Sequence, residues 1–381
     1  MKTLFPILVC AMILAYATEK TTVYRNGTMS RRSSTNRLLY VMLLLTAILP
    51  VGMRRIFNDT GSYIRGFEES MTLLELLNSG TLELLGNPAF KIFTALVRSL
   101  TDNYHIYFMI AAIFVQYAYI STIRRYSYSF TLGVGLYICL GTYVFSIAAM
   151  KQTIAMGILM LAIPSLLKKR YVKFYILVFI AFLFHTYAIA FVILPLLCSK
   201  PWRIQTFIII VVMIMIMSNF ESVIGSFLDY ANESGKEVAE YEVFDDASVN
   251  IFRVMVYGVV PVISLMFKRY LFGVENAPKE YELFVHMAIV SWAIMMLGTV
   301  SGANMFARMA FYFEFGIILS LPWIIGKVFT RKSATLVFGV AGICFFIYFF
   351  YANAVALDFD EQYRAVSLWE FFQPILLGGK V

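Results

Sequence analysis

Residues 52–67 read GMRRIFNDTGSYIRGF, a run that sets Arg54, Arg55, Arg65 and Asp59 among Phe57, Tyr63 and Phe67, between long apolar segments. A charge at the centre of a bilayer costs at least ~2.5–3.5 kcal/mol, so such a run belongs at the edge of the hydrocarbon or in a wet cavity. As a short solvated loop between two spans it needs no further role. The other polar positions of the chain give it one.

Of the 381 residues, 60% are apolar and 14% charged, and the mean hydropathy is +0.77. That is more apolar surface than one soluble core can hide. The chain therefore reads as an all-α polytopic membrane protein, because a backbone in hydrocarbon must satisfy its polar groups within each spanning segment. The net charge of +8 sits in short tethers between spans, the pattern of basic cytoplasmic loops, and indicates no nucleic-acid partner. Cys10, Cys139, Cys198 and Cys344 lie inside apolar segments without paired spacing, which suits small packing residues and no disulfide or metal framework.

A window of about 20 apolar residues marks Leu4 to Ala17, Leu38 to Gly52, Tyr104 to Ile123, Phe130 to Ala149, Gln152 to Leu167, Phe174 to Cys198, Ile204 to Ser218, Ile251 to Phe267, Leu283 to Val300, Phe306 to Gly326 and Thr335 to Ala354. The first resembles a signal peptide, but the basic loop after it, with Lys20, Arg25, Arg31 and Arg32, favours a span that is kept. The tethers at Thr18 to Arg37, Arg124 and Arg125, Lys168 to Lys173, Lys200 to Arg203, Lys268 to Lys279 and Lys327 to Lys332 are placed inside. This scheme closes when Phe174 to Cys198 enters and returns as a hairpin with its tip at His185 and Thr186; one tilted span is the alternative. The expectation is about 11–12 transmembrane or re-entrant helices in a single integral membrane domain, 1–381. Its outer parts are an amphipathic loop 54–102, an acidic loop 219–250 with Tyr230 and Tyr241, a tight turn at Val300 to Met305, and a short C-terminal tail 355–381. On this map the 54–67 run, the Lys151-Gln152 corner, His185 and Arg308 all face one outer compartment.

These residues are similar to the motifs of the EpsG/Wzy-type family of bacterial polysaccharide polymerases. Gly52-Met-Arg54, then Asp59, Tyr63 and Phe67, resembles a Gly-x-Arg followed by Asp-x-x-x-Tyr and an aromatic; Ala148-Ala-Met-Lys151-Gln152-Thr-Ile-Ala155 resembles a second motif of basic residue, Gln and Ile-Ala. Phe184-His185 resembles a Phe-His motif, and Arg308 with Tyr312 a late-span motif. The second motif has Lys151 where the pattern has arginine, so a point charge replaces a bidentate fork. The resemblance implies a scaffold like that of the C superfamily of glycosyltransferases (GT-C). It implies joining of undecaprenyl-diphosphate-linked oligosaccharide repeat units, for O-antigen, capsule or exopolysaccharide, at the periplasmic side of the bacterial inner membrane. Its partners would be the lipid-linked oligosaccharide, the bilayer, and flippase and chain-length regulator proteins.

Such a transfer expels a lipid diphosphate, so it needs fixed positive charge and a base for the acceptor hydroxyl. Arg54, Arg55, Lys151 and Arg308, helped by Gln152, Tyr63 and Tyr312, suit the first task, although each cation could also be an interfacial snorkelling residue. Asp59 and His185 are the two candidate bases; Asp59 could instead pair with Arg54 or Arg55 and fix the loop. Carboxylates and histidines have no metal-ligand spacing, so neither metal nor other cofactor is expected. Leucines at 73, 74, 76, 77, 82, 84 and 85 around Glu75 and Glu83 predict one or two amphipathic helices on the outer interface. A flippase of lipid-linked sugars and an O-antigen-ligase-like glycan transferase are the alternative functions.

Overall fold

The computed structural model describes residues 1–25, 28–30, 34–80, 86–218, 249–273, 277–299 and 304–377. Helix α1 (Leu4–Lys20) leads through the hairpin β1 (Val23–Arg25) and β2 (Thr28–Ser30) to α2 (Ser34–Gly52). Strand β3 (Arg54–Ile56) and helices α3 (Thr60–Glu68), α4 (Leu73–Ser79) and α5 (Pro88–Leu100) precede the long α6 (Tyr104–Tyr126). Next come α7 (Phe130–Cys139), α8 (Thr142–Ala148), α9 (Met150–Leu167) and α10 (Tyr171–Phe184), then a 3-10 stretch, Thr186–Leu197. The remaining helices are α11 (Ile204–Ser218), α12 (Ile251–Met266), α13 (Lys268–Phe272), α14 (Lys279–Leu297), α15 (Asn304–Val328) and α16 (Arg331–Phe350), the last prolonged by a π-helical turn, Tyr351–Ala356. After α17 (Phe359–Gln362), strand β4 (Arg364–Ala365) and α18 (Leu368–Leu377) follow.

The fold is all-α and multi-pass, and every one of the expected apolar segments is helical within the described residues. Among the described residues, five helical stretches are long and apolar enough to cross a membrane: Tyr104–Tyr126, Met150–Leu167, Lys279–Leu297, Arg308–Val328 and Arg331–Ala356. A sixth arises if α7 and α8, bent by 51° at their break, form one span. Asn36–Gly52, Tyr171–Phe184, Thr186–Leu197 and Ile251–Met266 are shorter apolar helices. The divided segment breaks where expected, at His185, but its second arm is 3-10 and so rises ~2.0 Å per residue where an α-helix rises ~1.5 Å.

The chain divides into two compact units, Met1–Val192 with Phe338–Val381, and Ile193–Val337. In the first, α2 packs against α1 and α6, and α9 lies between α6 and α10. Gly52, the last residue of α2, packs closely on α6: a Cβ there would stand 2.7 Å from the Met109 sulfur and 3.1 Å from the Met109 Cα, so hydrogen alone allows the approach. In the second unit, α14 and α15 form the most extensive helix pair. Gly316 makes that possible, since a Cβ would sit 2.4 Å from the Ala288 nitrogen and 2.5 Å from the Phe284 oxygen.

The 52–67 run is not an open loop. It folds as β3 and α3, with Arg54, Phe57, Thr60 and Phe67 buried. The amphipathic region contains α3, α4 and α5; the Glu75 carboxylate accepts the Thr72 N–H at 2.8 Å and so starts α4. On α5, Phe90, Thr94 and Val97 face inward while Ile92, Leu96 and Leu100 face outward at one-turn spacing. Leu82, Glu83, Leu84 and Leu85, residues 219–248 of the acidic loop including Tyr230 and Tyr241, and the turn at 300–303 lie outside the described residues.

Candidate functional site

The site in the first unit is built on the end of α2. A helix leaves its last carbonyls without partners of its own. Here the Met53 N–H donates to Leu49 O at 2.9 Å, the Tyr363 hydroxyl to Pro50 O at 2.7 Å, and Arg54 Nη1 to Val51 O at 2.8 Å. The negative end of the helix dipole thus faces a cation. In β3, Arg54 is turned inward while Arg55 and Ile56 are exposed.

Arg54 is 1% exposed. Its guanidinium carbon lies 4.1 Å from the Phe108 ring centroid, and Nη2 lies 3.6 Å from the Met150 sulfur. Nε has no hydrogen-bond partner, and among the described residues no carboxylate pairs with this side chain. Asp59 therefore does not pair with Arg54. Burial pulls the guanidinium down to about 10, opposed by Tyr63, Tyr107 and Tyr363, which leaves it protonated at neutral pH.

Met150 opens α9, and its neighbour Lys151 is half-buried with Nζ 5.2 Å from the Phe90 ring. The Lys151 N–H donates to the Tyr63 hydroxyl at 3.4 Å, and the Tyr63 ring meets Phe90 edge-on at 6.0 Å. The first two motifs are thereby joined through Arg54, Tyr63, Met150 and Lys151. Gln152, one residue on, is buried. Asp59 is half-buried at the start of α3, its carbonyl accepting the Tyr63 N–H at 3.1 Å.

His185 belongs to the same end of the unit. Helices α9 and α10 are joined only by residues 168–170 and pack along one another, so the start of α9 lies beside the end of α10. His185 is the extended residue that stops α10, half-buried, with its ring 5.2 Å from that of Tyr187. Arg55, by contrast, lies toward Glu370, on the outside of β3.

Arg308 and Tyr312 lie in the second unit, one turn apart on α15, with Arg308 half-buried and Tyr312 buried. Residues the motifs did not point to lie where α15 meets α12. The Arg253 guanidinium on α12 stands 4.8 Å from the Phe311 ring and 5.7 Å from that of Tyr257. The Tyr257 hydroxyl donates to the fully buried Glu314 at 2.6 Å. The Val249 N–H on Gly298 O, at 2.7 Å, sets the start of α12 against the end of α14. Two signals for this cluster were in the sequence: a glutamate inside a long apolar helix, and an Arg-Tyr pair one turn apart.

No group of three or more His, Cys, Asp or Glu side chains is placed to hold a metal ion among the described residues. No curated protein and no solved structure matches the chain. Residues 37–364 match the model of the EpsG family, a stretch that runs from the start of α2 through the Arg54, Lys151, His185 and Arg308 positions to β4, and the chain belongs to the EpsG family.

Proposed function

We propose that this chain is a membrane glycosyltransferase of the C-superfamily kind. In this reading it is a polysaccharide polymerase that joins undecaprenyl-diphosphate-linked repeat units at the outer face of the bacterial cytoplasmic membrane without a metal. The observation that carries the proposal is Arg54, a buried cation with no carboxylate partner among the described residues, next to the half-buried Lys151. An uncompensated buried charge is costly, by several kcal/mol as an order of magnitude. A site that binds an anion turns that cost to use, and the link between the EpsG family and exopolysaccharide biosynthesis supplies the anion's class.

In the reaction, the acceptor hydroxyl oxygen bonds to the anomeric carbon of the growing glycan as the bond from that carbon to the diphosphate oxygen breaks. The hydroxyl proton passes to a base, Asp59 or His185, and the lipid diphosphate leaves with the bonding electron pair. Lys151 and Arg54 stabilise the charge that gathers on the diphosphate, with Tyr63 orienting the Lys151 backbone. In the second unit, Arg308 and Tyr312 are substrate-binding residues in this reading. Because Arg54 is covered by Phe108 and Met150, Lys151 meets the diphosphate first and Arg54 acts from beneath.

The test is elongation of a lipid-diphosphate-linked oligosaccharide by detergent-purified protein, for wild type, Arg54→Ala, Arg308→Ala and His185→Ala, with and without chelator. Ladders that persist in chelator and form at least about 100-fold more slowly in the arginine variants support the proposal. Folded wild-type protein that makes no longer product but moves the lipid-linked unit across a vesicle bilayer makes it a flippase.

A further inference from the structure

We infer that Tyr363, in the C-terminal tail, is a positioning residue for Arg54, a role that rests on the polymerase reading above. The two side chains take successive carbonyls at the end of α2: the Tyr363 hydroxyl bonds Pro50 O at 2.7 Å and Arg54 Nη1 bonds Val51 O at 2.8 Å. Removal of the hydroxyl would leave a buried acceptor open one residue from the one Arg54 uses. The guanidinium would then have two carbonyls to choose between, and its position relative to Lys151 would no longer be unique.

The surroundings of Tyr363 suit this task. Its side chain is buried, with the ring stacked on Phe359 at 4.9 Å and edge-on to Phe57 at 6.2 Å. Burial pushes the phenol up, countered by Arg54, so the hydroxyl stays a donor. On one side of it, Asp360 accepts the Lys2 and Thr3 N–H groups at 2.6 and 3.2 Å. On the other, β4 pairs with β3, Ala365 opposite Arg54, and the Val366 N–H donates to Met53 O at 2.9 Å. Val366 and Phe371 then pack with Met53 against Leu49 and Met109. The tail thus grips the backbone on both sides of the arginine.

The experiment is a double-mutant cycle on full-length protein, reading kcat and KM for elongation and the melting temperature, with Tyr363→Phe, Arg54→Ala and both together. A misplacement of ~1 Å can cost ~100-fold in rate. Tyr363→Phe should therefore lower kcat by at least about tenfold, with KM for the lipid-linked donor unchanged and the melting temperature lowered by only a few degrees, the effect of one open buried acceptor. In the Arg54→Ala background it should cost nothing further, since coupled residues are not additive. Difluorotyrosine at 363 keeps the ring and its hydroxyl donor, and should hold kcat within a few-fold of wild type. Equal losses in both backgrounds, or a difluorotyrosine variant as slow as Tyr363→Phe, overturn the inference alone. A folded wild type that does not elongate overturns the polymerase reading and this inference with it.

Discussion

The Met150 sulfur lies 3.6 Å from Nη2 of Arg54, so the helix that carries the second cationic motif is seated on the guanidinium of the first. A thioether is only a weak acceptor. With Nε unpartnered and the Phe108 ring 4.1 Å from the guanidinium carbon, the charge at Arg54 is held by one ring, one carbonyl and a sulfur. Burying a cation without a carboxylate costs several kcal/mol as an order of magnitude, so an apolar side chain of similar volume offsets the one carbonyl it leaves open. Arg54→Met should therefore unfold at the same or a higher temperature than wild type while losing at least about 100-fold in elongation rate. Thermal unfolding in detergent beside the elongation assay checks both halves; a variant that is both unstable and inactive would make Arg54 a structural residue.

Lys151 differs from Arg54 in being half-buried, with its ammonium 5.2 Å from the Phe90 ring and its backbone fixed by Tyr63. A flexible ammonium acts on a diphosphate as a point charge, and a guanidinium can do the same with a fork added. Lys151→Arg is expected to keep kcat within a few-fold and to lower KM for the lipid-linked donor. Lys151→Met should lower kcat/KM for the lipid-linked donor by at least about tenfold, the loss of one partly exposed charge-assisted contact. A kcat/KM unchanged by Lys151→Met would remove this residue from the donor site.

How far the sequence reveals this site depends on the distance between the residues that make it. Arg54, Lys151 and His185 are legible because each is a polar group in an apolar setting, where expense alone marks it. The cover over Arg54 is not: Tyr363 and Val366 lie more than 300 positions away, in a tail whose charge pattern resembles any solvated end. The same holds for the inward turn of Arg54 against the outward turn of Arg55, which depends on β3 finding β4. Helix existence was legible almost throughout, since hydrocarbon permits little else. The 3-10 form of Thr186–Leu197 was not, because apolar composition fits either helix. Glu314 could have been found by the same logic as Arg54, being a carboxylate inside an apolar 25-residue helix.

The pairing of α14 with α15 makes a stability prediction that is independent of any function. The atoms that a Gly316 Cβ would meet, at 2.4 and 2.5 Å, are backbone atoms of α14, which cannot rotate away. Gly316→Val should cost more than ~3 kcal/mol, beyond the usual range for overpacking a core, and be seen as a lowered melting temperature and poor recovery from membranes. Gly339→Val, at a position with nothing within 4 Å, should leave both unchanged. Equal stability of the two variants would contradict the close approach.

Sidedness decides between a polymerase that receives its substrates outside and an enzyme working on the cytoplasmic face, and two exposed positions report it. Gly61 on α3 has open space for a side chain, and Lys168 lies in the exposed linker between α9 and α10. Their separation along α9, ~27 Å for an 18-residue helix at ~1.5 Å per residue, is close to the ~30 Å of a hydrocarbon core. In a variant with Cys10, Cys139, Cys198 and Cys344 replaced, Gly61→Cys should react with a membrane-impermeant maleimide in intact cells. Lys168→Cys should react only after permeabilisation, as the basic linker predicts. The opposite pattern would put Arg54 and Lys151 on the cytoplasmic side, where an undecaprenyl-diphosphate-linked unit awaits export and not polymerisation, and the proposed reaction would have to be abandoned for one on that face.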